Sequence, residues 1–164
     1  FADEASAVAA KSAADTKRVE MEDYKGVAYD ESSLADTAHS EAATAKSAAL
    51  ARAADQGVSQ SAINNAMATI QTNLIDPGDE AYDTASAAYD AGVNFKIEGD
   101  IDIVQYGDYM GMSDWDNAEI EADNANNKFS SGTDKFTDAL NYFYIAHTNW
   151  AEAKVQYDNL WPTP

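Results

Sequence analysis

The sequence lacks cysteine and has few prolines and few basic residues. Without cysteine, disulfide bonds, thiolate metal sites and a thiol nucleophile are excluded. No apolar run approaches the ~18 residues typical of a membrane-spanning helix, so we expect no membrane span. Only 10 Lys and Arg residues stand against 29 Asp and Glu, for a formal net charge of -19. Because nucleic-acid binding depends on basic side chains that neutralise phosphates, this balance argues against a nucleic-acid partner.

The chain also lacks the residue patterns of common catalytic and cofactor sites. Its two histidines, His39 and His147, have no Glu-x-x-His or His-x-x-x-His spacing. A di-iron site in a helical bundle requires Glu-x-x-His on two helices, so it is excluded. No Gly-x-Ser-x-Gly elbow, glycine-rich phosphate loop or dinucleotide fingerprint is present. The sequence therefore predicts that the protein is not an enzyme and holds no organic cofactor.

The chain is rich in alanine and shows a helical periodicity. Of the 164 residues, 33 are alanine. Near the C-terminus, large side chains alternate with small ones, each set recurring every seven residues, which favours interdigitating helices. The first set is Phe136, Phe143, Trp150 and Tyr157, and the second is Ala139, Ala146, Ala153 and Leu160. The pattern predicts a mainly α fold, an antiparallel helical bundle of about four main helices forming a single domain over residues 1–164. Gly57 is predicted to lie just past a helix end.

A change of period predicts a β-hairpin inside this bundle. From Phe95 to Ile103 the odd positions are apolar, apart from Gly99, and the even positions are charged. A period of two is typical of a strand. We therefore expect a short hairpin near residues 94–104, and with the aromatic loop that follows it forms an insert over about residues 93–115.

The acidic stretch around this insert is a candidate cation site. Between Asp76 and Asp123 there are 14 acidic residues and one basic residue. Calcium binds several oxygen ligands that converge on one point. Since the EF-hand pattern is absent, a solvated acidic surface is the competing interpretation. The candidate ligands are Glu98, Asp100, Asp102, Asp114 and Asp116.

The aromatic loop is a candidate protein-binding surface. Aromatic residues and methionine are enriched at protein interfaces. The competing interpretation is that these residues close one end of the bundle. The candidate contact residues are Tyr106, Tyr109, Met110, Met112 and Trp115, together with Trp161 in the C-terminal tail.

Three functions fit these observations. We expect a non-catalytic structural or accessory subunit that binds other protein subunits through the hairpin, the aromatic loop and the C-terminal tail. The chain starts at Phe1 rather than Met, which is explained either by removal of an export or transit segment or by a sequence that lacks its true start. We favour removal, and with it a secreted, extracellular or organelle-lumenal assembly. The first alternative is an acidic module that binds Ca²⁺ or another divalent cation. The second is a small-ligand carrier whose aromatic pocket lies between Trp115, Phe136, Phe143 and Trp150.

We expect sodium chloride to raise the melting temperature, because crowded carboxylates repel one another and salt screens the repulsion. Thermal denaturation between about 0.01 M and about 1 M salt spans Debye lengths from ~30 Å to ~3 Å. A calcium site would add a further increase beyond sodium chloride of equal ionic strength. A melting temperature that does not depend on salt would contradict the crowded acidic surface.

Overall fold

The structure is a computed structural model that describes the whole chain, residues 1–164, and it is mainly helical. Residues 60–111 are helical without a break, through a π-helical turn, so there are three continuous helical stretches instead of about four main helices. None of them combines the length and apolar character that crossing a membrane requires. The elements are α1 (Glu4–Asp55), α2 (Gln60–Ile70), the π turn (Gln71–Ile75), α3 (Asp76–Gly111) and α4 (Trp115–Asn159).

The two connections between these stretches are short, and each contains a left-handed residue. Gly57 has φ 67° and follows α1. The amides of Gly57 and Val58 donate to carbonyls in the last turn of α1, which forms a Schellman cap. Ser113 has φ 57° and ends α3 with the same pair of hydrogen bonds. The prediction that Gly57 lies just past a helix end is therefore confirmed.

Pro77 accounts for the π turn. Proline has no amide hydrogen, and its ring clashes with the carbonyl four residues earlier in a regular α-helix. The turn immediately before it is widened, and the amide of Asp76 donates to the carbonyl of Gln71, five residues back. The proline that suggests a chain break in the sequence is thus accommodated inside a continuous helix.

The chain divides into two compact units. Unit 1 consists of residues 1–28 and 86–139, and unit 2 consists of residues 29–85 and 140–164. Each unit contains one segment each of α1, α3 and α4, and unit 2 also contains α2 and the π turn. Each unit is therefore a small helical bundle.

In unit 1, aromatic rings of α4 occupy space that glycines of α3 leave free. A Cβ atom added at Gly99 would lie 2.5 Å from the ring of Phe129, and one added at Gly92 would lie 2.7 Å from the ring of Phe136. Both rings are fully buried. Glycine suits these positions because the facing aromatic ring occupies the space that a Cβ atom would need.

Unit 2 contains one contact of this kind, with a larger ring. Trp150 covers Gly78, where any Cβ would overlap the indole. Tyr82 packs edge-on against Phe143, with 5.1 Å between ring centroids. Alanines of α1 and α4 complete the core, so the predicted alternation of large and small residues along α4 is confirmed. The buried alanines of this unit include Ala35, Ala38, Ala42, Ala45, Ala49, Ala146 and Ala153.

The predicted β-hairpin near residues 94–104 is wrong, because this segment lies inside α3. The predicted insert over residues 93–115 is also wrong, since α3 continues to Gly111. Phe95 and Ile103 are half-buried, whereas Ile97 and Ile101 are exposed. The apparent period of two arises because the apolar residues of this segment serve two faces of a helix.

We expect Gly99→Ala to lower the free energy of unfolding and Gly107→Ala to raise it. Overlap with Phe129 destabilises the fold by more than the higher helix propensity of alanine stabilises it. The free energy of unfolding should therefore fall by about 1–2 kcal/mol. At Gly107 a Cβ meets nothing within 4 Å, so only the propensity gain of about 0.5–1 kcal/mol remains. Urea denaturation of both variants measures this difference. Equal effects of the two substitutions would show that the rings do not need the glycines.

Candidate functional site

Two of the predicted calcium ligands take part in ion pairs in unit 1. The Glu98 carboxylate lies 2.6 Å from Nζ of Lys128. Asp100 lies 2.8 Å from Nζ of Lys96 and 3.1 Å from a guanidinium nitrogen of Arg18. A cation bound by these carboxylates would have to compete with basic side chains already in contact with them.

Two further predicted ligands lie at the start of α4 and accept hydrogen bonds there. Asp114 lies just before α4, and its carboxylate accepts hydrogen bonds from the amide and the side chain of Asn117, which makes it an N-cap. Asp116 accepts a hydrogen bond of 2.6 Å from the backbone amide of Ala2. No group of three or more His, Asp or Glu side chains in the structure could hold a metal ion. The calcium site stays an untested prediction.

Asp102 is the predicted ligand with the least favourable surroundings for a carboxylate. One of its carboxylate oxygens is buried and has no hydrogen-bond partner in the protein. Burial raises its pKa above the ordinary 3.8, and the neighbouring charges of Glu121 and Glu98 raise it further, against the opposing effect of Lys128. The folded state therefore disfavours the charged form of this residue.

Most of the predicted partner-binding residues pack within the chain. Tyr106 is buried in a cluster with Ala7, Ala118 and Ala122, and Tyr109 and Met110 pack against this cluster. Met112 is 65% exposed in the connection between α3 and α4. Trp115 is half-buried. The structure therefore supports the interpretation that this region closes one end of a bundle.

The C-terminal tail is bound to the end of α1 in unit 2. Arg52 donates hydrogen bonds to the carbonyls of Tyr157 and Leu160, and Gln56 donates to the carbonyl of Trp161 at 2.9 Å. Trp161 is partly buried against the core of this unit. The aromatic side chain of the tail is thus already engaged within the chain.

An exposed apolar stripe on α3 was not predicted from the sequence. Ile97 and Ile101 are each 51% exposed and Val104 is 65% exposed. Their spacing of four and then three residues places them on one side of the helix, and we name these three residues the α3 outer face. A helical interpretation of the segment would have revealed the stripe. The exposed charged residues of the surrounding α3 surface are all acidic: Asp90, Glu98 and Asp108.

His39 lies beside aromatic and acidic side chains in unit 2. The His39 ring packs edge-on against Trp150 with 4.5 Å between centroids, and its Nε2 lies 3.9 Å from Asp79. Burial, together with the neighbouring Asp36 carboxylate, raises the pKa of Tyr82 to about 12. These side chains line an open groove of about 420 Å³. The groove has no nucleophile paired with a base, and it does not indicate a reaction.

The other histidine joins two helices. Nδ1 of His147 on α4 lies 2.6 Å from the Glu31 carboxylate on α1, and both side chains are partly buried.

The aromatic pocket of the carrier hypothesis receives no support from its proposed walls, since Phe136 and Phe143 are buried core residues.

Comparison with protein-family models, with curated proteins and with solved structures gives no match for this chain.

We expect Asp102→Asn to raise the melting temperature at neutral pH. The folded protein raises the pKa of Asp102, so ionisation of this group destabilises the fold. The contribution of Asp102 to the free energy of unfolding is greatest at low pH, where the carboxyl group is protonated. This contribution is lost as the pH rises from the ordinary pKa through the raised pKa. Thermal denaturation between about pH 3 and pH 8 measures the effect. Asp108→Asn, an exposed change on the same helix, is the matched control, and an equal gain in both variants would contradict the assignment to burial.

Proposed function

We propose that this chain is a non-catalytic subunit of a larger assembly and that it binds a partner protein through the α3 outer face. The observation that carries the proposal is the exposed row formed by Ile97, Ile101 and Val104. Single exposed apolar residues are common on soluble proteins, but a contiguous row on one helix face is typical of an interaction site. An extracellular or organelle-lumenal setting is part of the proposal and follows the expectation from the sequence.

The partner we propose is a basic amphipathic helix. Apolar residues spaced by four and three positions match the ridges and grooves of a second helix. Two exposed acidic residues, Asp90 and Asp108, lie on α3 on either side of the row, whereas Glu98 is paired with Lys128. The whole chain carries a net charge of -19. Lys and Arg residues flanking the apolar stripe of the partner would complement these charges and raise the rate of association.

The contact has to extend beyond three side chains. A stable interface buries about 800 Å² on each partner, which is more than two isoleucines and a valine provide. Met112, 65% exposed after the end of α3, is an apolar residue available for such an extension. We therefore expect a partner helix that follows α3 over several turns.

The test replaces Ile101 with a photo-reactive amino acid and expresses the full chain in its native source. We expect a cross-link to one defined protein through a basic, amphipathic helical segment. In reconstituted binding to that protein, Ile101→Glu should weaken the affinity at least about 10-fold, equivalent to ~1.4 kcal/mol. Val19→Glu is the matched control, because Val19 is 63% exposed on α1 of the same unit.

Two results would contradict the proposal. One is equal weakening by Ile101→Glu and Val19→Glu, which would indicate a general charge effect. The other is a cross-link only between copies of this chain, which light scattering over a range of concentrations would confirm as self-association. Since both substituted side chains are exposed, both variants should retain the melting temperature of the unmodified chain within a few degrees.

A further inference from the structure

A small pocket beside the π turn of unit 2 has the features of a binding site. Its volume is about 130 Å³, equivalent to about four water molecules at ~30 Å³ each. The first helix, the π turn and the last helix each contribute to its wall. The lining residues are His39, Ala42, Ala43 and Lys46 from α1, Gln71 and Ile75 from the π turn, and Tyr157 from α4. We name it the Tyr157 pocket.

The Tyr157 hydroxyl is the unusual group in this pocket. The residue is 1% exposed, and its hydroxyl has no hydrogen-bond partner in the protein. A buried polar group without a partner carries the full cost of its desolvation, and most buried tyrosines in proteins satisfy this group. The hydroxyl is almost inaccessible to water in the empty pocket, so a ligand acceptor would form the missing hydrogen bond after a small movement of the lining side chains.

The pocket wall itself contains a lysine and no carboxylate, although Asp79 and Asp76 contact the lining residues His39 and Gln71 from outside. None of the lining residues is acidic, although the chain has 29 Asp and Glu residues. Six of the eight lysines are ion-paired with a carboxylate. Lys46, in the pocket wall, is one of the two that are not, and Lys135 in unit 1 is the other. An unpaired ammonium and an unpaired hydroxyl on residues that line one pocket favour an anionic ligand.

We propose that the Tyr157 pocket binds a small carboxylate with a short alkyl chain. The carboxylate oxygens would accept hydrogen bonds from the Tyr157 hydroxyl and the Lys46 ammonium. Ala42, Ala43 and Ile75 form the apolar part of the wall. This part suits an alkyl group and not a second charged group. The volume limits the ligand to acetate, propionate and acids of similar size.

The widened turn supports this assignment. The π turn places Gln71 and Ile75 in the pocket wall, and π-helical turns are frequent at functional sites. The Gln71 side-chain amide is oriented by its hydrogen bond of 2.8 Å to Asp76. The site is independent of the proposed docking function, because the α3 outer face belongs to unit 1 and the Tyr157 pocket to unit 2.

The test is a titration of the isotope-labelled full chain with propionate, followed by NMR at constant ionic strength maintained with sodium chloride. We expect saturable shifts for Tyr157 and for the neighbouring Ala42 and Ala43. Tyr157→Phe and Lys46→Gln should each raise the apparent Kd at least about 10-fold. Lys135→Gln removes the same charge from an unpaired lysine elsewhere and should leave the Kd unchanged within about two-fold.

The variants also separate binding from folding. Tyr157→Phe removes only the unpaired hydroxyl, so its melting temperature should equal or exceed that of the unmodified chain. The absence of saturable shifts with propionate would overturn the proposal, as would unchanged affinity in Tyr157→Phe. Equal affinity for propionate and sulfate would overturn the assignment to a carboxylate with an alkyl group.

Discussion

Close contact between aromatic rings on α4 and glycines on α3 is the constraint on which the packing of both units depends. Phe129 and Phe136 in unit 1 and Trp150 in unit 2 each occupy space that a glycine leaves open. Because alanine contributes little apolar area, an alanine-rich chain needs these few large rings to bury enough surface. The rings recur every seven residues, which is the repeat that keeps one helix face against its neighbours over many turns.

This constraint explains which parts of the fold could be predicted from the sequence. The seven-residue alternation on α4 and the end of α1 at Gly57 both follow from local patterns. The β-hairpin was wrong because Gly99 reads as a turn residue in sequence, whereas in the structure it provides room for Phe129. A glycine inside a helix costs only about 1 kcal/mol, so tertiary packing can outweigh it. Pro77 lies inside a continuous helical stretch, although proline normally ends a helix, because the π turn accommodates it.

The two proposed binding surfaces depend on the same helical geometry. Once residues 94–104 are helical, half of the apolar residues that suggested a strand become an exposed row on α3. The acidic residues of this segment were visible in the sequence, but their basic partners, such as Lys128 for Glu98, were not. The Tyr157 pocket has no sequence signal, because an unpaired hydroxyl is defined only by what surrounds it. Its lysine differs from most others in lacking a carboxylate partner, which also requires coordinates to recognise.

The most direct test of the central claim, that this chain works as a subunit bound to a partner protein, is the mass of the native particle. The chain alone has a mass of 17.6 kDa. Purification from the native source with little dilution, followed by light scattering and identification of co-eluting proteins, gives this mass. Our account predicts a larger particle of fixed composition that contains a protein with a basic amphipathic helix. A monodisperse particle of 17.6 kDa that elutes alone at its native concentration would contradict it.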